Sequence, residues 1–230
     1  MKKKINQLVL LNGGFGTRVK SISKKKPKCL IKFKKKSFLY WQLNMFKKNG
    51  IKEVIICTGY KNKYIVKELK NLNIRNINIK IINEKQPLGT GGAIKNCSKL
   101  LNNFFYVTYG DSWLNFRFHD LKRKFINKNA KNIITVINKK KAIDHLPNIL
   151  IKKNKIIDYS KNNENYNYID YGLMIFNKIE FTITKKKKFD LSFLINRVIH
   201  QKSTYYYKVT RKFYEIGSLK GIKEFKKIIK

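Results

Sequence analysis

A glycine-rich segment that ends in a basic residue follows the first apolar run of the chain. Residues 12–18 read NGGFGTR, and Pro27-Lys28 follows after eight further residues. Glycines let the backbone approach a polyphosphate closely and donate its N–H groups to the phosphate oxygens. Arg18 and Lys28 would add positive charge where a leaving group gains negative charge. The segment therefore predicts a polyphosphate-binding site.

Two well-known glycine-rich loops do not fit these residues. A P-loop requires Gly-Lys-Ser/Thr after four intervening residues, and none occurs here. A dinucleotide-binding loop requires a third glycine near Val19 and an acidic residue about twenty positions later. No Asp or Glu occurs between Arg18 and Glu53. NAD binding is therefore disfavoured.

Two acidic residues stand where they could act as ligands. Asp111 directly follows a β-rich run and Gly110, in a chain with only 13 acidic residues. This position favours a ligand over a solvated loop acid or a helix N-cap. Glu215 precedes the residues Ile-Gly-Ser, and for it an ordinary turn residue is the alternative.

Apolar runs that alternate with helical patterns must position these residues. Strands are predicted at residues 8–11, 54–57, 77–82, 104–109 and 133–137, with helices around residues 39–46, 64–69, 93–101 and 121–125. This alternation predicts an α/β fold with an open, doubly wound, largely parallel sheet. In such sheets ligands bind beyond the carboxyl ends of the strands. The loops after the strands therefore carry most of the functional information.

The pattern changes after Asn138. Residues 146–176 have the pattern of short antiparallel strands, which makes the predicted sheet mixed. Asp190 is the expected N-cap of a following helix, residues 205–209 predict a strand, and an amphipathic helix ends the sequence. Without a repeat or a linker, we expect a single domain in which the second half covers or extends the first.

The charge of the chain is unusual. It has 53 Lys and Arg against 13 Asp and Glu, a formal net charge of +40. Such an excess by itself suggests a nucleic acid or an anionic membrane as partner. However, only six of the basic residues are Arg, and the lysine runs are scattered between apolar segments, whereas nucleic-acid surfaces usually concentrate both residue types on one face. Solvated faces are therefore favoured, and neither partner is expected.

The cysteines and histidines argue against metal and disulfide scaffolds. Cys29, Cys57 and Cys97 are odd in number and far apart, so neither a disulfide framework nor a CxxC site is predicted. The three histidines lack ligand spacing, so a structural zinc is not expected. The first apolar run is too short for a signal peptide, and no stretch approaches the ~18–20 apolar residues of a membrane span. We expect a cytoplasmic protein.

The pattern GGxGTR-x8-PK resembles the opening motif of the sugar-1-phosphate nucleotidylyltransferases, the NDP-sugar pyrophosphorylase family. Residues 87–93, PLGTGGA, preceded by Glu84, are similar to the loop beside the nucleoside in the short guanylyltransferases that act on mannose-1-phosphate and D-glycero-D-manno-heptose 1-phosphate. The resemblance implies the nucleotide-diphospho-sugar transferase fold, a Rossmann-like doubly wound mixed sheet. It further implies a nucleotide-binding half at 1–138, an acceptor-binding half with the C-terminal helix at 139–230, and no left-handed β-helix domain.

The resemblance also implies a role for each matching residue. Asp111 and Glu215 would hold the catalytic Mg²⁺, and Arg18 and Lys28 would be the catalytic cations. The nucleotide would contact Leu11, Asn12, Gly13, Gly14, Gly16, Thr17, Glu84, Gly89, Thr90 and Gly110. The acceptor would contact Lys161, Asp170 and Gly172.

Four positions depart from the family pattern. Asn12 replaces the usual Ala, Ser160 replaces the Glu before Lys161, Asp170 stands near the usual Asn, and Glu215 replaces Asp. Glu keeps an oxygen ligand suited to Mg²⁺ but reaches one methylene further. The metal chemistry is therefore expected to survive. An acid at position 170 could bind sugar hydroxyls or repel an acidic group on the acceptor, so the identity of the sugar stays open.

The implied function is Mg²⁺-dependent transfer of a nucleotidyl group from an NTP to a sugar-1-phosphate, with release of pyrophosphate. GTP is favoured by the resemblance, and a cytidylyl- or uridylyltransferase acting on another phosphorylated acceptor is the alternative. A basic nucleic-acid-binding protein is the competing class. The expected partners are the NTP and sugar-1-phosphate substrates, and a monomer or a homodimer is expected.

Overall fold

Four apolar runs form the parallel part of a nine-stranded sheet in the computed structural model, which describes residues 4–13, 26–59, 61–142, 144–160 and 163–229. β1 (Gln7–Leu11) lies between β4 (Glu53–Thr58) and β6 (Phe104–Tyr109) and is parallel to both. β5 (Asn78–Asn83) adds a parallel edge strand beyond β4. All of β1 is buried, which explains its continuously apolar sequence.

The antiparallel part of the sheet is built around one long strand. β11 (Tyr168–Asn177) lies between β6 and β8 (Asn132–Asn138) and is antiparallel to both. β12 (Thr204–Lys208) pairs in parallel with β8, and the hairpin of β9 (Ile149–Lys152) and β10 (Lys155–Tyr159) extends the sheet beside β11. The predicted mixed sheet is confirmed. A strand from the second half of the chain lies among strands of the first half, so both halves share one sheet.

Helices cover both faces of this sheet. In the described residues the α-helices are α1 (Phe38–Lys48), α2 (Asn62–Asn71), α3 (Gly89–Asn96), α4 (Phe118–Asn127), α5 (Ile179–Thr182), α6 (Leu191–His200) and α7 (Leu219–Ile228). α1, α2 and α4 contribute to one apolar cluster, and α3, α5 and α6 contribute to another. The predicted double winding is therefore confirmed. None of these helices is long and apolar enough to cross a membrane.

The second glycine-rich segment, residues 87–93, differs from the prediction. The sequence predicts a loop followed by a helix over residues 93–101, but α3 already begins at Gly89 and ends at Asn96. A separate 3₁₀ turn covers Ser98–Leu100. The carbonyl oxygen of Phe189 accepts hydrogen bonds from the N–H groups of Gly91 and Gly92, both at 3.0 Å. These bonds satisfy donors that a helix start otherwise leaves unpaired, so the glycine segment is helical.

A third apolar cluster packs α7 against two small two-stranded sheets. The sheets are β2 (Lys32–Phe33) with β3 (Lys36–Ser37), and β7 (Ser112–Trp113) with β13 (Tyr214–Glu215). The buried members of the cluster are Ile31, Phe33, Phe38, Ile216, Ile222, Phe225 and Ile229. Because only two residues separate β7 from β6, this cluster stands beside the carboxyl end of the central sheet.

Candidate active site

A cavity of about 640 Å³ opens at the carboxyl ends of the parallel strands. Its volume falls within the roughly 300–1,000 Å³ of small-molecule sites, and its place is where open α/β sheets bind ligands. The wall includes nine of the residues that the sequence assigned to the site: Leu11, Asn12, Gly13, Lys28, Glu84, Gly89, Thr90, Gly110 and Asp111. The structure thus brings together, around one cavity, those described residues that the sequence assigned to the nucleotide site.

Three charged side chains meet beside Gly217. Lys28 Nζ lies 3.2 Å from Asp111 Oδ2. A methyl group on Gly217 would overlap Glu215 Oε2, and it would lie 3.3 Å from Lys28 Nζ and 3.4 Å from Asp111 Oδ2. The two acids approach each other because Glu215 of β13 pairs with Ser112 of β7, the residue after Asp111. One small sheet therefore sets the spacing of both carboxylates.

The pair of Asp111 and Glu215 suits a hard divalent cation. Both side chains offer carboxylate oxygens, and the absence of a side chain at Gly217 leaves room between them. Among the residues that the structure describes, no group of three Asp, Glu, His or Cys side chains could hold a metal ion. Mg²⁺ usually binds through one or two carboxylates together with water and substrate phosphates. Two carboxylates are therefore a fitting donor set for Mg²⁺.

Glu84 lies on the cavity wall directly after β5. Its Oε2 accepts a hydrogen bond from the Leu88 N–H at 3.1 Å, and burial raises the pKa of its carboxyl group above the ordinary value. Its Oε1 faces Gly13, where an added methyl group would lie 3.4 Å away. Glu84 thus places a carboxylate beside the start of the first glycine-rich segment.

The glycines of α3 allow this helix to pack closely against the chain at Phe189. Gly89 has φ +74°, and a methyl group there would lie 2.6 Å from the carbonyl oxygen of Phe189. A methyl group on Gly91 would overlap the Phe189 ring. Thr90 Oγ1 accepts a hydrogen bond from the Leu191 N–H at 2.8 Å. Close approach of this segment therefore requires glycine, while Gly89 and Thr90 still line the cavity.

Asp170 lies behind the cavity wall and not on it. The buried carboxylate accepts hydrogen bonds from the hydroxyls of Tyr109 at 3.2 Å and Tyr159 at 3.3 Å, and from the Gly172 N–H at 2.8 Å. Burial raises the pKa of Asp170 to about 6, although these hydrogen bonds oppose the shift. In the described part of the wall, Tyr109 is present but Asp170 and Gly172 are not. Asp170 is therefore connected to the cavity by its hydrogen bond with Tyr109, which lines the wall.

Five of the residues assigned from the sequence lie outside the described residues: Gly14, Gly16, Thr17, Arg18 and Lys161. Their assignments stay predictions.

The cavity wall also includes Asp190 and Tyr109, which the sequence pattern did not assign to the site. Asp190 is the N-cap residue of α6, as predicted, but it also lines the cavity. The described wall thus carries Glu84, Asp111 and Asp190 against two lysines, in a chain of net charge +40. The scarcity of acids in the sequence was a signal that could have drawn attention to Asp190. Tyr109 had no comparable signal beyond its place before Gly110.

Comparisons with known proteins identify the family. The family model described as nucleotidyl transferase matches residues 7–145. The chain is 43% identical over 116 residues to the D-glycero-alpha-D-manno-heptose 1-phosphate guanylyltransferase of Campylobacter jejuni, which covers 50% of this chain and 52% of that protein. It is 28% identical over 204 residues to the enzyme of the same name from Aneurinibacillus thermoaerophilus, covering 85% and 86%. The chain therefore spans about half the length of the first relative and most of the second.

A solved structure shares the fold over nearly the whole chain. HddC from Yersinia pseudotuberculosis has a TM-score of 0.84 at 24% identity, covering 98% of this chain and 100% of that one. The same protein complexed with GMP-PN also has a TM-score of 0.84, at 23% identity. This likeness concerns the fold, whereas the family match rests on sequence. Together with the cavity at the strand ends, the match over residues 7–145 shows that the chain belongs to the nucleotidyl transferase family.

Proposed function

We propose that the protein transfers a guanylyl group from GTP to a sugar-1-phosphate, giving a GDP-sugar and pyrophosphate. The observation that carries this proposal is the meeting of Lys28, Asp111 and Glu215 beside one cavity, in a member of the nucleotidyl transferase family. Two relatives with the printed name of heptose 1-phosphate guanylyltransferase support the acceptor class.

In the proposed reaction, an oxygen of the sugar phosphate attacks the α-phosphorus of GTP in line with the departing pyrophosphate. A new P–O bond forms to the acceptor while the bond from the α-phosphorus to the bridging oxygen breaks, and the electron pair leaves with pyrophosphate. No covalent enzyme intermediate is required, so the protein positions the reactants and stabilises charge. Lys28 Nζ, on the cavity wall, would offset the negative charge that builds on the phosphates.

Asp111 and Glu215 would hold Mg²⁺, which when bound supplies positive charge to the phosphate oxygens. Arg18 and the backbone from Gly14 to Thr17 would bind the β- and γ-phosphates. On the acceptor side, Lys161 would bind the sugar phosphate, and Gly172 would shape the site. The carboxylate of Asp170 accepts hydrogen bonds from the hydroxyls of Tyr109 and Tyr159, so Asp170 would influence the acceptor through these two side chains.

The preference for GTP is supported by Glu84 as well as by the relatives. A carboxylate accepts hydrogen bonds only, and guanine presents two neighbouring N–H donors on one edge. Glu84 lies on the wall together with Gly89 and Thr90, on the proposed nucleoside side. A carboxylate at this place would favour guanine over bases with fewer donors on the facing edge.

A matrix of four NTPs against a panel of phosphorylated acceptors, with pyrophosphate release as readout, tests the proposal. We expect release with GTP and a sugar-1-phosphate, dependent on Mg²⁺. Release with CTP or UTP instead would move the assignment to the alternative nucleotidyltransferases. Tight, salt-sensitive binding of DNA or RNA without pyrophosphate release from any pair would overturn it in favour of a nucleic-acid-binding protein, because such binding weakens steeply with salt.

A further inference from the structure

The three charged groups of the site stand outside the large sheet. Lys28 begins a short 3₁₀ turn, Asp111 lies between β6 and β7, and Glu215 ends β13. Short elements of two or three residues have little stability of their own. Something else must therefore fix the relative positions of the three side chains.

One aromatic ring of α7 contacts the chain segments that follow two of these groups. Phe225 is fully buried, and its ring centroid lies 4.7 Å from that of Phe33, 4.9 Å from that of Phe38 and 5.3 Å from that of Trp113. Phe33 and Phe38 follow Lys28 within ten residues, and Trp113 is two residues after Asp111. Phe225 thus joins the segment of Lys28 to the segment of Asp111.

The first turn of α7 contacts the third group. A methyl group on Gly221 would overlap the backbone carbonyl oxygen of Glu215, so the helix approaches β13 as closely as glycine allows. Ser218 Oγ accepts a hydrogen bond from the Gly221 N–H at 3.0 Å and caps this turn. The Ile216 N–H donates to the Asp111 carbonyl oxygen at 2.9 Å, which joins β13 to Asp111. A single helix therefore contacts all three segments.

We propose that α7 is the positioning element of the site, with Phe225 and Gly221 as positioning residues for Lys28, Asp111 and Glu215. This inference rests on the proposed function. A displacement of about 1 Å at reacting groups can lower a rate roughly a hundredfold. A smaller residue at 225 loosens the three segments together, so it disturbs the metal ligands and Lys28 but leaves the Glu84 side of the cavity in place.

Phe125 offers a matched control. It is also a fully buried phenylalanine on a surface helix, α4, but it packs in the cluster on one face of the large sheet, with its centroid 5.2 Å from that of Phe104. Phe225→Leu and Phe125→Leu therefore remove similar apolar volume from two different clusters. Both should lower the melting temperature, so the melting temperature alone does not separate a positioning role from a structural one.

The test compares kcat, the KM for GTP and the Mg²⁺ concentration for half-maximal activity, and it also measures Mn²⁺ binding by electron paramagnetic resonance with a non-hydrolysable GTP analogue present. For Phe225→Leu we expect kcat lower by roughly ten- to a hundredfold, a higher Mg²⁺ requirement, weaker Mn²⁺ binding and a nearly unchanged KM for GTP. Phe125→Leu should leave all four near wild type. Gly221→Ala should resemble Phe225→Leu, and Phe225→Met replaces Phe225→Leu if that variant does not fold.

Two negative outcomes are distinguishable. Equal effects of Phe225→Leu and Phe125→Leu on kcat and on Mn²⁺ binding would overturn the positioning role while leaving the proposed function standing. A wild-type protein that forms no product with any substrate pair would overturn the proposed function, and the Mn²⁺ measurement would still decide the inference. Mn²⁺ binding that is the same in both variants, or absent from the wild type, refutes it.

Discussion

The Asp111→Asn substitution separates the charge of this side chain from its size. It keeps the shape of the side chain but removes the negative charge 3.2 Å from Lys28 Nζ. The backbone carbonyl oxygen of Asp111, which accepts from the Ile216 N–H at 2.9 Å, is untouched. The side chains of Lys28 and Asp111 are 16% and 32% exposed, so solvent screens the pair. We therefore expect the free energy of unfolding to fall by no more than about 1 kcal/mol.

The loss of activity should be much larger than the loss of stability. Groups that stabilise charge in a transition state contribute several kcal/mol, directly or through a bound metal ion. We expect kcat to fall by about 10²–10⁴, which corresponds to roughly 3–5.5 kcal/mol of activation free energy. A folded but nearly inactive protein is therefore the expected result.

Pyrophosphate release at several Mg²⁺ concentrations, together with urea denaturation, measures both quantities. Asp120→Asn is the control, because Asp120 lies on α4, pairs with Arg117 and Arg123 at 3.8 Å and is absent from the described cavity wall. The control should retain activity. If Asp111→Asn turns over like the wild type at limiting Mg²⁺, Asp111 is not a ligand of the reacting complex and the site is wrongly assigned.

Three more substitutions test the charge of Lys28, the buried carboxylate of Asp170 and the backbone at Gly50 and Gly89. Lys28→Ala should lower kcat more than the control Lys32→Ala, which replaces an exposed lysine of β2, because Lys28 lines the cavity and Lys32 does not. Equal rates of pyrophosphate release in the two variants would contradict this. The pKa of Asp170 is about 6 in the folded protein against 3.8 ordinarily, so the folded state binds the proton more tightly and wild-type stability falls as pH rises from about 4 to 6. Asp170→Asn lacks this titration, so its free energy of unfolding relative to wild type should rise between about pH 4 and 6 by on the order of 2–3 kcal/mol. Urea denaturation at several pH values measures this difference, and the same pH dependence in both proteins would refute the prediction. Gly50→Ala, at φ +79°, should lower the free energy of unfolding by about 1–3 kcal/mol, because backbone strain is its one cost. Gly89→Ala, at φ +74°, should lower it further and weaken GTP binding, because its methyl group also meets Phe189. Equal melting temperatures of the two variants would contradict this difference.

The parallel half of the fold could be predicted closely from the sequence. The strand predicted at residues 104–109 has those bounds in the structure, and the other parallel strands agree within about one residue. Strands buried on both faces are continuous apolar runs, and this pattern is hard to mistake. The position of β11 between β6 and β8 could not be predicted, because pairing between distant segments leaves no periodic trace in either strand.

The lining of the cavity was predictable where a residue follows a parallel strand. Asn12, Glu84 and Asp111 come directly after β1, β5 and β6 or within one or two residues of them, so the strand ends place them around one cavity. Asp170 was different. It lies inside β11, and the side to which an internal strand residue points depends on the register with β6 and β8. The sequence alone does not carry that register.

The glycines of the two segments meet different physical needs, although their sequence patterns look alike. At Gly13, among the residues that the structure describes, an added methyl group would meet only the Glu84 carboxylate, at 3.4 Å, and both residues line the cavity. At Gly91 the space is already filled by the Phe189 ring, and at Gly110 it is filled by the Asn12 side chain. A glycine-rich pattern therefore reports close approach without saying what approaches. In this chain, the described residues leave space at Gly13 on the cavity wall, whereas Gly89 and Gly91 let α3 pack closely against Phe189.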